Sequence, residues 1–450
     1  MRDRRRASIS QVSTVWLCRT AAALAVGVVP GALSAQVVGP AGEATGTLIQ
    51  PAIDPEFNRD RNISVTERAR PSYDAVGVRV GAFRVNPAIG VSTNFTDNVF
   101  TDNNNKRADV FASINPTLSV NSLWSRHRLS VVANADIRRY ANETLRNQEG
   151  WFLSTLGRLD VSRDLRLDGT LQVDRTFESP YSEDLVANVI VPSNYLRSYA
   201  ALRGTFQPGR TRIIGTIDRT TLDFNTIQFA DGSRRNQEFR NREILRAAGL
   251  YEYALTPSTS VYGQLTIDST DYSVPLPNNT PNRDSRGYNA IGGVNFDLAG
   301  RARGAVGIGY TIRDYDAGRY PTARGLSVQA RVDLFPSELT TVSISASRVL
   351  SDVSIGNSAA LWINRLTIGA DHELLRNLIL SASIDGQKRD YPTLGSSTDV
   401  LRGSFSGRYQ ASRWLGFTAS LGYGSSRPTG AGLGNPFDEL RASVGIRVRR

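Results

Sequence analysis

His127 and His372 are the only histidines in the chain and the first candidates for proton transfer near neutral pH. A serine-type hydrolase needs a histidine beside a serine or an aspartate. Both histidines fall near predicted ends of β-strands, where a polar residue in a turn is the simpler interpretation. We therefore predict that the protein is not an enzyme. A hydrolase that depends on one of these histidines is the alternative.

Metal and cofactor sites give weaker signals. Residues 96–109 include Asp97, Asp102 and three asparagines at 103–105, whose oxygen atoms are of the kind that Ca²⁺ binds. Their spacing does not fit an EF-hand, so we favour a solvated loop. The chain also has no phosphate-binding glycine loop and no zinc-ligand spacing. We predict no cofactor and no resident metal.

Charged residues in segments of alternating polarity form the largest candidate set. In a β-strand, charges that alternate with apolar residues all project to one face. On the inner wall of a closed barrel they would orient polar solutes and set ion preference. The alternative is that they only solvate the interior and pair with each other. The candidate pore-lining residues are Arg166, Asp168, Asp174, Arg197, Arg203, Asp268, Arg331, Asp333, Arg402, Arg408, Arg441 and Arg447.

The clearest strand to position such charges is predicted over residues 165–177, LRLDGTLQVDRTF. Leu167 and Leu171 represent its apolar face, while Asp168 and Asp174 represent its polar face. Because successive side chains of a strand point to opposite faces, the pattern indicates an apolar medium on one side and water on the other. Similar units recur along almost the whole chain, at the length that a tilted strand needs to cross a bilayer.

The segments between the predicted strands alternate between short and long. Turn-forming segments such as 162–164 and 207–210 alternate with long polar segments such as 178–194 and 225–238. A soluble sandwich or propeller has no reason to lengthen every second connection. The predicted fold class is therefore all-β: a transmembrane antiparallel up-and-down β-barrel of about 18 strands, with roughly 16 as the lower limit.

The alternation also predicts which side chains meet lipid. Apolar residues occupy every second position of 129–137, 326–334 and 415–423, while Gln329 and Asp136 represent the neighbours expected in the lumen. Aromatic residues near the strand ends are expected in a girdle at the membrane surface. They are Trp124, Trp151, Phe177, Tyr195, Tyr253, Tyr272, Tyr310, Tyr391, Tyr409 and Trp414.

The basic composition does not by itself indicate a nucleic-acid ligand. The formal net charge is +11 and the pI is near 10.0, but the arginines are scattered along strands and turns. A nucleic-acid site would gather them on one arm or helix, so we predict no nucleic-acid partner. No uncharged apolar run of about 18 residues follows the N-terminal region, which excludes helical membrane spans.

The N-terminus predicts export. Arginines within residues 2–6, an apolar stretch at 21–29 and small residues at 32–35 form the pattern of a secretory signal peptide. The single cysteine, Cys18, falls inside it, so the mature chain would have no disulfide. We assign residues 1–35 to the signal peptide. Residues 36–75 follow as a disordered, flexible periplasmic lead of low periodicity, and residues 76–450 form the barrel.

Three short segments near the start of the barrel are RARPSYD at 68–74, GVRVGAF at 77–83 and FTDNVF at 95–100. With them the chain resembles the outer-membrane porin family described as beta-barrel porin 2, over about residues 65–450. The resemblance implies a link with exopolysaccharide production. Outer-membrane barrels usually end in an aromatic residue that helps assembly, whereas residues 447–450 are RVRR.

We therefore expect a channel of the porin type, in the bacterial outer membrane, that passes hydrophilic solutes. Involvement in exopolysaccharide export is implied only by the resemblance. The alternatives are an outer-membrane hydrolase and a structural barrel plugged by its own loops. The expected partners are outer-membrane lipid and lipopolysaccharide, the barrel-assembly machinery and, through the resemblance, a polysaccharide export machinery.

Overall fold

The computed structural model describes residues 62–183, 188–276, 280–353, 358–430 and 433–450. The predicted signal peptide and residues 36–61 of the predicted N-terminal lead lie outside these ranges. No helix among the described residues is both long and apolar enough to cross a membrane.

Strands dominate the described residues, with two short 3-10 turns at Thr144–Arg146 and Glu238–Arg240. The strands are β1 (Val78–Val80), β2 (Phe83–Thr96), β3 (Asp109–Ser122), β4 (Arg128–Tyr140), β5 (Gln148–Asp160), β6 (Leu165–Phe177), β7 (Val189–Val191), β8 (Asn194–Phe206), β9 (Thr211–Phe224), β10 (Ile227–Phe229), β11 (Arg234–Arg235), β12 (Arg242–Thr256), β13 (Thr259–Tyr272), β14 (Ser285–Leu298), β15 (Ala302–Tyr315), β16 (Ala323–Ser337), β17 (Thr340–Asp352), β18 (Ala360–Leu375), β19 (Leu378–Tyr391), β20 (Ser396–Gln410), β21 (Leu415–Thr429) and β22 (Phe437–Arg449).

The long strands form one closed antiparallel barrel of 18 strands, each paired with its neighbours along the chain. The barrel strands are β2 to β6, β8, β9 and β12 to β22. β22 returns to β2 and closes the sheet, with pairs running from Ala88 and Arg449 to Thr96 and Arg441. This confirms the predicted fold class. β1 adds a short hairpin to β2, and β7, β10 and β11 form a separate small sheet.

The predicted strand over 165–177 coincides with β6. Its Leu171 is 63% exposed on the outer surface, and its Asp174 is only 4% exposed on the inner face. In a protein surrounded by water this would be inverted, since apolar side chains would be buried and carboxylates exposed. Lipid on the outside and a polar interior account for both observations.

Short turns lie at one end of the barrel and the longer connections at the other, and we call these the short-turn end and the long-loop end. Residues 161–164 link β5 to β6, whereas the long connection between β6 and β8 begins at 178. Barrel strands run for 13 to 16 residues. A tilted strand needs about 9–11 residues to cross the hydrocarbon, so the strands extend beyond the membrane.

The β17–β18 hairpin bends into the barrel at the long-loop end. Pairing of β16 with β17 begins at Val328 and Arg348, while β17 remains paired with β18 up to Asp352. Leu350 and Trp362 lie on the outward-facing side of this hairpin, yet they are 1% and 7% exposed. Because the hairpin leaves β16, they pack on inner-face residues of the barrel, namely Tyr195, Leu222, Phe224 and Ile244.

Glycines let large inner-face side chains lie flat on the wall. The side chain of Tyr262 on β13 lies over Gly293 of β14 and Gly307 of β15. Its hydroxyl accepts a hydrogen bond from the side-chain amide of Gln329 on β16 at 3.1 Å. A Cβ on Gly293 would lie 2.5 Å from the Tyr262 ring, and one on Gly307 would lie 2.4 Å from its hydroxyl. The bare backbone is therefore required there.

The aromatic girdle was predicted only in part. Trp124, Trp151 and Trp414 are 40–59% exposed on the outside, as a girdle requires. The prediction was wrong for three tyrosines, which are buried on the inner face because they follow the inward parity of their strands. They are Tyr195, Tyr272 and Tyr391, at 2%, 8% and 2% exposure.

Candidate functional site

The most cationic part of the inner wall is formed by β20, β21 and β22. Strand register places five arginines and one glutamate on the inner face of these three strands. They are Arg402, Arg408, Glu439, Arg441, Arg447 and Arg449. The inner face of β21 between them has only glycine, serine, threonine and proline, and Thr418 at its centre is exposed. Small neutral residues therefore leave room for water beside a row of guanidinium groups.

Two of these arginines are held by carboxylates, Arg402 by one on the neighbouring strand β19 and Arg441 by one on its own strand β22. Arg402 binds Asp385, which Arg365 also contacts at 2.6 Å. Arg441 binds Glu439 at 2.5 Å. Such pairs fix the guanidinium groups without removing them completely from the lumen, because the Arg402 and Arg441 side chains stay 12% and 26% exposed.

The predicted residues of β6 and β8 form a second charged region. Asp168 is 2.7 Å from Arg158 and 3.5 Å from Arg166, and register sets Arg203 opposite it. Asp174 receives a bond from Arg197 at 2.9 Å. The Arg166 and Arg197 side chains are 33% and 38% exposed, so they too face accessible space.

Two predicted residues belong to the packed part of the wall. Asp268 is bound by Arg313, and Asp333 is 3.0 Å from Arg303. All four side chains are at most 2% exposed, so no solute reaches them. Their neighbour Arg331 is exposed.

The pair of Asp268 and Arg313 lies across Gly287. The three residues stand side by side on β13, β14 and β15, and Arg313 also donates to the Ser285 hydroxyl at 2.7 Å. A Cβ on Gly287 would lie 2.4 Å from the Asp268 carboxylate and 2.6 Å from the Arg313 guanidinium. Glycine at this position therefore allows the ion pair to form.

Sequence reasoning missed Arg158 and Arg365, which complete the ion pairs at Asp168 and Asp385. Both arginines occupy inward positions in alternating segments, so the signal was present. The register between neighbouring strands decides which residues form ion pairs, and the alternation within a single strand does not determine that register.

A loop of the long-loop end reaches across to distant strands. The connection after β6 crosses to β19, where Arg389 donates to the Tyr181 carbonyl at 2.6 Å and Tyr391 donates to the Glu183 carbonyl at 3.2 Å. Ser351 on the inward hairpin donates to the Glu183 carboxylate at 3.4 Å. Burial raises the pKa of the Tyr181 hydroxyl, and nearby Glu439 adds to the effect. These contacts tie three separate elements together over the lumen.

Residues 62–76, which we call the entry segment, pack on the inner rim of the short-turn end. Val65 is 1% exposed, and Arg70 binds Glu373 of β18 at 2.7 Å. Glu67 is 2.8 Å from Arg303. Arg449 of the last barrel strand donates to the Tyr73 carbonyl at 2.8 Å. The entry segment is thus fixed to the wall at several points by charged groups.

Both histidines lie at the short-turn end. The His127 ring accepts a bond from the Asp160 amide at 3.1 Å, and the His127 amide donates to the Asp160 carboxylate at 2.9 Å. The His372 ring is exposed and lies 2.9 Å from the Thr340 hydroxyl. These contacts hold a turn and a hairpin end together. They do not form a hydrolase arrangement.

The loop considered for Ca²⁺ uses its oxygen atoms in bonds within the protein. Asp97 accepts the Leu440 amide at 2.7 Å, and Asn103 accepts the Asp438 amide at 2.9 Å. Across the described residues, no group of three or more His, Cys, Asp or Glu side chains is arranged to hold a metal ion.

Solved structures with a similar barrel were found at low sequence identity. The outer membrane protein opdK from Pseudomonas aeruginosa is 10% identical, with 81% of this chain and 99% of that chain covered and a TM-score of 0.45. Pseudomonas aeruginosa OpdO is 12% identical, with coverage of 81% and 97% and a TM-score of 0.44. The copper transporter OprC is 11% identical, with coverage of 83% and 81% and a TM-score of 0.47.

No curated protein matched the chain in sequence. The family model described as "Putative beta-barrel porin 2" matches residues 70–450, which include every strand of the barrel. This match confirms the resemblance seen near the start of the barrel. The chain therefore belongs to this family of β-barrels of the bacterial outer membrane.

Proposed function

We propose that the barrel is a channel for hydrophilic solutes and that it prefers anions. The observation that carries this proposal is the inner face of β20 to β22, where five arginines and one glutamate stand beside small neutral residues. Charged rings and rows in a pore attract ions of opposite sign and repel others. Because several of these guanidinium groups remain accessible, their field acts on solutes in the lumen.

A finer proposal is that the solute is a saccharide exported with extracellular polysaccharide. It is supported by the link that the family resemblance implies, and the hydroxyl-rich face of β21 would suit sugar hydroxyl groups. In this role the protein would contact lipopolysaccharide, depend on the barrel-assembly machinery for insertion, and receive its solute from a polysaccharide export machinery. A gradient or that machinery would supply the energy.

The proposal is tested by refolding residues 36–450 and measuring single-channel conductance in a planar bilayer. We expect steady conductance steps, a reversal potential that favours chloride over potassium, and partial block by added oligosaccharides. Insertion without conductance would instead support the plugged structural barrel, which the loop contacts at Glu183 favour. Conductance without block would contradict saccharide passage and leave the channel in place.

The contacts of the entry segment predict that Glu373→Gln opens the short-turn end. Glu373 and Arg70 are 2% and 6% exposed, and removing one partner of such a buried pair costs about 3–5 kcal/mol. We expect the segment to leave the rim, so conductance rises and trypsin cleaves more rapidly after Arg68. The matched control is Asp371→Asn. It makes the same charge change on the same face of β18, but the Asp371 carboxylate bonds to Ser381. Equal conductance of the two variants would contradict the prediction.

A further inference from the structure

The part of the β17–β18 hairpin that lies inside the barrel consists of residues 349–352 and 360–363, and we call it the inward arm. The arm is joined to β19, where Trp362 pairs with Asp390. On its other side, no described residue of β17 pairs with residues 323–327 of β16. The inward arm is therefore attached to the barrel wall along one edge only.

The unpaired edge of β16 continues the register at which the pairing with β17 stops. The last pair at this end is Val328 with Arg348, so a ladder continued in the same register would place Arg324 opposite Asp352. These two residues carry opposite charges, and opposite charges directly across a strand pair stabilise the pairing. At present the Nε of Arg348 donates to the Leu326 carbonyl on this edge at 3.2 Å. A side chain thus takes the place that the backbone of β17 would occupy in a complete wall.

Apolar packing and one ion pair hold the inward arm away from β16. Leu350 and Trp362 pack on inner-face residues of β8, β9 and β12. Asp352 lies 3.6 Å from Arg242 of β12, and strands β13 to β15 separate β12 from β16. Because neighbouring strands are about 4.8 Å apart, Asp352 beside β12 is far from Arg324. A position of the arm inside the lumen and a position within the wall therefore exclude each other.

Gly325 of β16 allows the arm to lie inside. This residue is on the inner face of β16, and a Cβ there would lie 2.8 Å from the Trp362 ring. In a complete wall Gly325 would face the lumen, whereas Trp362 would be on the outer face of β18. The two residues would then lie on opposite faces of the sheet and would not need a glycine between them. A side chain at residue 325 should therefore disfavour only the inside position.

Both faces of the inward arm are buried, so the arm fills part of the lumen at the long-loop end. Leu350 on one face is 1% exposed, and Leu361 on the other is 0% exposed. Leu361 packs with Ile363 and Tyr391, which lie on the same face of β18 and β19. Because these three residues share one sheet face, their cluster can move with the arm. An arm placed in the wall would leave this part of the lumen open.

We propose that the inward arm is a gate. It narrows the lumen while it lies inside the barrel, and it widens the lumen when residues 349–352 pair with residues 324–327 of β16. Contacts of the arm with Arg242 and Glu183 favour the inside position, and the completed strand pairing favours the wall position. This inference rests on the proposed channel function and names its moving part.

A pair of introduced cysteines tests whether the arm reaches the wall. Residues 36–450 contain no cysteine, so the refolded chain has no competing thiol. Arg324→Cys with Asp352→Cys should form a disulfide under oxidation by copper phenanthroline, detected by mass spectrometry. The bond needs Cα atoms within about 7 Å of each other, which only the wall position provides. The matched control is Ala330→Cys with Ala346→Cys, because these residues pair directly in the same ladder. A disulfide in the control and none in the test pair would overturn the proposal.

Conductance tests whether the arm narrows the lumen. Oxidation of the variant with Arg324→Cys and Asp352→Cys should increase the conductance step, and reduction by dithiothreitol should reverse the increase. Oxidation of the control pair should leave the step unchanged. A cross-linked arm with unchanged conductance would overturn the gate. Since the disulfide is detected without conductance, a chain that forms it and never conducts refutes the channel and not the movement.

Gly325→Ala is the second variant, since it leaves the Asp352 contact with Arg242 in place. Its methyl group meets the Trp362 ring only in the inside position, so the conductance step should rise. The matched control is Gly369→Ala on the inner face of β18, where a Cβ would meet its nearest neighbour at 3.8 Å, an ordinary contact. Equal conductance of these two variants would overturn the proposal.

Discussion

Replacing Arg402, Arg408, Arg441 and Arg447 together by Gln is expected to convert the channel from anion preference to cation preference. The four replacements remove four positive charges from the inner wall of β20 to β22. At Arg402 and Arg441 they also release the carboxylates of Asp385 and Glu439, which would then attract cations. The reversal potential in a potassium chloride gradient should therefore change sign.

Two control variants separate charge from structure. The fourfold change to Lys retains the charges and should retain anion preference, while Arg163→Gln removes one charge from an exposed short turn and should change nothing. If the fourfold Gln variant does not insert, the pair Arg408→Gln and Arg447→Gln still removes two charges while leaving Asp385 and Glu439 paired. An unchanged reversal potential in an inserted variant would refute the proposed role of this wall in selectivity.

Replacing Arg313 by Met is expected to give the largest loss of stability. Arg313 and Asp268 are 0% and 2% exposed, and they lie across Gly287. The variant removes the cation that binds the buried Asp268 carboxylate, and breaking a buried pair costs about 3–5 kcal/mol. Urea unfolding in lipid vesicles measures the loss.

The double variant Arg313→Met with Asp268→Leu tests this reason. Removing both charges should recover most of the stability, since a buried pair replaced by apolar groups is often neutral. Arg219→Met is the matched control because Arg219 and Glu243 form an exposed pair, at 58% and 40% exposure, and we expect no measurable change. A double variant as unstable as the single one would show that packing, rather than charge, holds this part of the wall.

The sequence predicted the barrel because alternation is local. Each strand carries its own pattern, and the predicted stretch at 165–177 coincides with β6. The inward positions of Arg402, Arg408, Arg441 and Arg447 also follow from parity within one strand. The ion-pair partners of these arginines do not follow from parity, because they depend on the register between strands. Asp385 accepts bonds from arginines on both neighbouring strands, and parity could not have identified either of them.

The sequence pattern also did not predict the bend of the β17–β18 hairpin or the long-range packing of the entry segment. Leu350 and Trp362 have the parity of lipid-facing residues, but they are buried because the β17–β18 hairpin leaves β16. The entry segment has few apolar residues and no periodicity. It is held instead by charged contacts such as Arg70 with Glu373, which join residues far apart in the chain. Neither the bent hairpin nor the packed entry segment produces a recognisable pattern within ten or twenty consecutive residues of the sequence.

The seam between β2 and β22 has a consequence for the rate of folding. It consists of nine residue pairs, whereas β2 and β3 form fourteen. Every other barrel strand pairs with the next barrel strand along the chain, so hairpins can form one after another at low entropic cost. The seam joins the two ends of the barrel, and its loop-closure entropy is the largest of all the pairings. The barrel therefore closes last at this seam, and this step sets how long the unfinished sheet exposes its two edges.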